Sequence, residues 1–95
     1  MESRNSEDPP GPEEESVCRV CGYDDGAPFW EGGWPTSDIC PCCGNESDIS
    51  DLSVSGIRSY RGYWVGNGAK WQSPGLKPKG WDLAEQLKNI PIEWR

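Results

Sequence analysis

Four of the five cysteines fall into two pairs with one spacing and one follower, Cys18-Arg19-Val20-Cys21-Gly22 and Cys40-Pro41-Cys42-Cys43-Gly44, with eighteen residues between Cys21 and Cys40. A two-residue gap lets a tight turn aim both sulfurs at one centre. If that centre is a metal ion it lies about 2.3 Å from each sulfur, and N–H groups of the turn donate to the thiolates. Glycine directly after the second cysteine lets the chain leave the turn at positive φ. Two such turns facing each other supply tetrahedral S4 coordination, so Cys18, Cys21, Cys40 and Cys43 are the expected ligands of one structural ion. Two disulfides, or four small buried hydrophobes, are the competing uses, and a reducing compartment disfavours the disulfides. The fifth thiol, Cys42, is expected to point away from the ion as a small filler. Asp38 and ion-bound Cys43 give it an acidic setting that does not lower a thiol's pKa.

The same residues argue against catalysis. Four cysteines close the coordination shell and leave no position for a bound water. The chain has no histidine, hence no ordinary general base at neutral pH. It also lacks a phosphate-cradling glycine loop and a nucleophile elbow. Asp24 and Asp25 are neighbours in a loop, where carboxylates cap turns more readily than they catalyse. The expectation is a protein that is not an enzyme.

The elements around the cysteines must be modest. With 95 residues and 34% hydrophobic composition, the chain is near the lower limit for folding on an apolar core alone, so a metal staple is expected to make up the difference. Residues 1–16, rich in Pro, Glu and Ser, read as a disordered acidic tail. They lack an apolar segment of signal-peptide type, and no run of eighteen apolar residues follows, which points to a cytoplasmic protein without a membrane span. From Val17 to Asn45, glycines and prolines leave room only for short strands and turns. Beyond Asp51, Val54, Ile57, Tyr60 with Arg61, and Trp64 with Val65 recur at the spacing of one helical face. Asp51 or Ser53 can cap the start of that helix, and Gly66-Asn67-Gly68 can end it. Ala69 to Gly80 reads as an extended loop pinned by Trp71 and Trp81. A last short helix starts at Asp82, which forms a capping-box spacing with Glu85, and ends at Pro91. The expected fold is a small α+β metal-bound domain over 17–95. Residues 17–52 form a zinc ribbon with two knuckles on short hairpins, and 53–95 add two helices, joined by a Pro/Gly-rich loop, that pack on it.

Charge and aromatic content suggest what such a module would touch. Residues 1–16 carry six acids against one base (−5), 17–52 seven acids against one base (−6), and 53–95 seven bases against three acids (+4). Four thiolates on a divalent ion add a formal −2 to the acidic half, which should repel phosphates. Most of the six tryptophans should serve the core, since each aromatic removes about 150 to 250 Å² from water. Trp30, Trp34 and Trp94 are the best placed for a partner-binding hot spot. Arg58, Arg61, Lys70, Lys77 and Lys79 interleave with aromatics as in a nucleic-acid platform, but the helical spacing buries the aromatics and the overall charge opposes phosphate.

The runs Cys18 to Tyr23 and Cys40 to Gly44 resemble the two knuckles of rubredoxin, an iron electron carrier. The eighteen-residue gap is shorter than in that pattern, and the C-terminal half has no counterpart there. Tetrahedral thiolate geometry does not separate zinc from iron, and zinc is the expected ion because zinc ribbons vary freely in spacing and attachments. From Cys18 onward the chain also resembles a family of small bacterial cysteine-rich proteins of CPCC type. The matching stretches are Cys18-x-x-Cys21-Gly22-Tyr23, Ile39-Cys40-Pro41-Cys42-Cys43-Gly44, Gly68-Ala69-Lys70-Trp71 and Gly80-Trp81-Asp82-Leu83 through Ile90. That resemblance implies an accessory or immunity-like protein, and the charge distribution adds the expectation of a non-catalytic module whose acidic half faces a basic protein partner such as a nuclease-like toxin. A nucleic-acid or ribosome-associated ribbon and an iron electron carrier are the alternatives.

Overall fold

So few aliphatic side chains leave the interior to sulfur and indole. The computed structural model describes residues 14–49 and 51–95. In it one buried cluster gathers all five cysteines with Val20, Phe29, Trp30, Ile57, Trp64, Ala69 and Trp71. Tyr23, Trp64, Trp71 and Trp81 meet edge to face, with centroid separations of 5.6 Å (Tyr23–Trp71), 5.5 Å (Trp71–Trp81) and 6.5 Å (Trp64–Trp81). Such contacts add about 0.5–1.5 kcal/mol each beyond burial.

Three two-residue strands, β1 (Glu14–Glu15), β2 (Trp30–Glu31) and β3 (Trp34–Pro35), form an antiparallel sheet in the order β1-β2-β3. Gly32 and Gly33, both at positive φ, make the tight turn between β2 and β3. The expectation of a disordered tail over residues 1–16 is corrected at Glu14 and Glu15, which are in the sheet; residues 1–13 of that tail lie outside the described residues. Arg19 draws the strand in. Its Nε and Nη2 donate to the two carboxylate oxygens of Glu15 at 2.9 and 2.8 Å, and Nη1 donates to the Asp51 carbonyl at 2.8 Å. The guanidinium also lies 4.0 Å from the ring centroids of both Trp30 and Trp94. At 8% exposure this cation needs that full set of partners, because a buried charge without them is costly.

Helix α1 (Val54–Gly66) buries Ile57 and Trp64, two turns apart on one face. Of the two candidate caps, Ser53 acts: its Oγ accepts from the Gly56 N–H at 3.0 Å. Asp51 turns inward instead, accepting from Trp30 Nε1 at 2.9 Å and from the Asp48 N–H at 2.8 Å. The following loop carries a 3-10 turn at Pro74–Leu76. Helix α2 (Leu83–Leu87) is capped by Asp82, which accepts from the Glu85 N–H at 3.2 Å. The Glu85 carboxylate pairs with Lys88 at 3.0 Å. A final 3-10 turn, Ile92–Trp94, brings Trp94 back over Arg19. Among the described residues no helix is long and apolar enough to cross a membrane.

Candidate metal centre

The two cysteine turns repeat one hydrogen-bond scheme. In the first, Cys18 N–H donates to the Tyr23 carbonyl at 2.8 Å and Gly22 N–H to the Cys18 carbonyl at 2.9 Å. In the second, Cys40 N–H donates to Asn45 at 2.8 Å and Gly44 N–H to Cys40 at 2.9 Å. Gly22 and Gly44 leave these turns at φ of 85° and 81°, the left-handed region a Cβ disfavours. A single antiparallel bridge, Ile39 to Glu46, closes the second turn into a minimal hairpin. The first has no strand on its outgoing side. There the chain veers off through two carboxylate-capped turns, in which Gly26 N–H donates to Asp24 and Ala27 N–H to Asp25, each at 2.9 Å.

The turns bring their sulfurs together in crossed pairs. Cys18 Sγ lies 3.7 Å from Cys43 Sγ, and Cys21 Sγ lies 3.6 Å from Cys40 Sγ. All four ligand atoms fall within 4.8 Å of one another, and all four residues are buried. A tetrahedron with 2.3 Å metal–sulfur bonds has edges of about 3.8 Å, so the cluster fits a tetrathiolate ion with small adjustment. The cysteines are free thiols rather than disulfides. Hydrogen bonds with Cys18 and Cys40, together with burial, push the Cys21 thiol up, and the hydrogen bond with Cys18 pushes Cys43 up. Hydrogen bonds with Cys18, Cys21 and Cys43 hold Cys40 below the usual thiol range, and the backbone N–H of Cys43 adds to that effect. Alone, the group cannot carry four negative charges in so small a volume, and a cation is what allows four thiolates to coexist there.

Cys42 lies outside the tetrad at 0% exposure. It is a buried side chain beside the tetrad, and a hydrogen bond with Cys21 and another from Gln86, whose Nε2 is 3.3 Å from the sulfur, hold its thiol below the usual range. The expectation that an acidic setting does not lower this thiol took no account of those two hydrogen bonds. Of the three tryptophans expected at a partner surface, Trp34 is 76% exposed, Trp94 is half-buried over Arg19, and Trp30 is buried at 6% and offers a partner no surface. Sequence reasoning missed Arg19, Asp51 and Gln86 as organisers of the site, and gave Arg61 no role at the cysteine turns. None of these residues carries a local signal in the sequence that says which group it will reach.

Comparison of the chain with protein-family models, with curated proteins and with solved structures finds no match. Four buried cysteines able to hold a metal ion are thus the feature on which function must be argued.

Proposed function

We propose that this chain is a non-catalytic zinc-ribbon module, its tetrathiolate site standing in for an oily core and its acidic half binding a basic protein partner. One observation carries the reading: four buried sulfurs from two identically bonded turns converge within 4.8 Å. Coordination by four cysteines would leave the ion no open position, which suits a structural role. Zinc is preferred over iron because the short inter-turn segment and the helical C-terminal half depart from the rubredoxin pattern. Residues 17–52 carry −6, and thiolate coordination deepens that field, so a basic partner would be steered toward this half. Trp34, Ile39, Ile49 and Leu52, between 53% and 76% exposed, add apolar surface there. The resemblance to CPCC-type bacterial proteins agrees with an accessory or immunity-like role in the cytoplasm.

The nucleic-acid alternative is weakened by Arg61, whose guanidinium is spent on backbone carbonyls, leaving Arg58, Lys70, Lys77 and Lys79 as its principal contacts. The test is capture from source cells on immobilised, metal-loaded protein at low and high salt, with Trp34→Ala in parallel. The reading expects a basic protein retained at low salt and reduced by the substitution. Recovery of no protein, or of RNA or DNA lost steeply with salt, would overturn it.

A further inference from the structure

The carbonyls of the two turns are captured in register. In each turn the three carbonyls after the leading cysteine accept from a residue of the C-terminal half. In the first turn, Arg61 Nη2 donates to the Arg19 carbonyl at 2.9 Å, Arg61 Nε to Val20 at 2.6 Å, and Gln86 Nε2 to Cys21 at 3.1 Å. In the second, Ser73 N–H donates to Pro41 at 2.8 Å, Gln72 N–H to Cys42 at 2.9 Å, and Tyr60 Oη to Cys43 at 3.0 Å. A trans peptide points its C=O and N–H in opposite directions. Drawing the carbonyls outward therefore aims the intervening amides inward, toward the sulfurs. The Cys42–Cys43 peptide is an example: with its carbonyl held by Gln72, its N–H is left on the opposite side, facing the turn.

The two turns differ in one respect. Backbone N–H groups capture the two middle carbonyls of the second turn, whereas a single cation does so in the first. Arg61 Nη2 also donates to the Trp94 carbonyl at 2.8 Å, tying the end of the described chain to the same point. We infer that Arg61 is a positioning residue of the metal centre, turning the first-turn amides toward the thiolates and setting its positive charge against theirs, with Tyr60 and Gln86 as weaker counterparts. Lysine does not replace it, because a compact ammonium lacks the planar fork that spans three carbonyls.

This inference rests on the proposed tetrathiolate site, and the test separates the two. Zinc transfer to a colorimetric chelator is timed for the wild type, Arg61→Gln, Arg61→Lys, Tyr60→Phe and the exposed control Lys79→Gln. The same set is then loaded with Co2+ and its sulfur-to-metal charge-transfer band recorded. Outer-shell partners typically change metal affinity about 10–100-fold, so Arg61→Gln is expected to release zinc faster by that order, with Arg61→Lys between it and wild type. The band should move to longer wavelength in Arg61→Gln, because thiolates without a neighbouring cation give up an electron more easily. A purely structural arginine would lower the melting temperature and leave that band in place. Should Arg61→Gln fail to fold, Tyr60→Phe, which removes a single donor to Cys43, is expected to speed release a few-fold against Lys79→Gln. Unchanged release and spectra in loaded variants overturn the inference alone; a wild-type chain that takes up no metal overturns it together with the proposed function.

Discussion

Gly22→Ala isolates how the C-terminal half docks on the cysteine turns. Gly22 sits at φ 85°, and a Cβ there would collide with the Gln86 backbone carbonyl of α2. The left-handed conformation costs a non-glycine residue roughly 1–2 kcal/mol. The collision adds to this, because backbone cannot yield as a side-chain tip would. Moving α2 aside stretches the bond from Gln86 to the Cys21 carbonyl and that from Asn89 to the Gly22 carbonyl, each worth about 1 kcal/mol. The whole effect is therefore about 3–5 kcal/mol. Gly26→Ala is the matched control, with φ 92° and nothing within 4 Å of its added Cβ. It bears the conformational cost without the collision, about 1–2 kcal/mol. Gly62→Ala, inside α1 and equally unobstructed, should stabilise by about 0.5–1 kcal/mol. Guanidinium unfolding of the three variants at one buffered zinc concentration measures all of this. If Gly22→Ala proves no worse than Gly26→Ala, α2 does not seat against the first turn and the reasoning fails.

Cys21→Ser should cost several kcal/mol and unfold the N-terminal half, because metal-binding free energy is folding free energy in such a domain; an unchanged melting curve would refute this. Glu15→Ala leaves the buried Arg19 with one carbonyl and two indoles, and should cost about 1–3 kcal/mol given that Glu15 is itself partly exposed to solvent. Equal stability would mean β1 contributes nothing to the fold. Lowering the pH should release the metal, since protons compete for the thiolates, and the melting temperature should fall together with metal content rather than after it.

Much of the site was legible because its determinants are local. The repeated Cys-x-x-Cys-Gly spacing named the four sulfurs that converge, the three-and-four spacing of Ile57 and Trp64 marked the buried face of α1, and Ser53 and Asp82 were readable as caps. What escaped depends on partners far along the chain. Trp30 looked available until Asp51, 21 residues later, accepted its indole N–H. Glu14 and Glu15 read as tail because nothing nearby shows that Arg19 will be buried and will require a carboxylate. Gln86 reaches the Cys21 carbonyl across 65 residues, and Arg61 reaches Val20 across 41. A glutamine or an arginine on a short amphipathic helix carries no local mark of such a contact.

Metal content of freshly isolated protein, read by native mass spectrometry beside an absorption spectrum, tests the central claim most directly. One zinc per chain is expected, in a colourless protein with all five thiols reduced, and Cys40→Ser should lose the ion. A chain without metal, a red iron protein, or two cystines in material prepared without air would contradict the account.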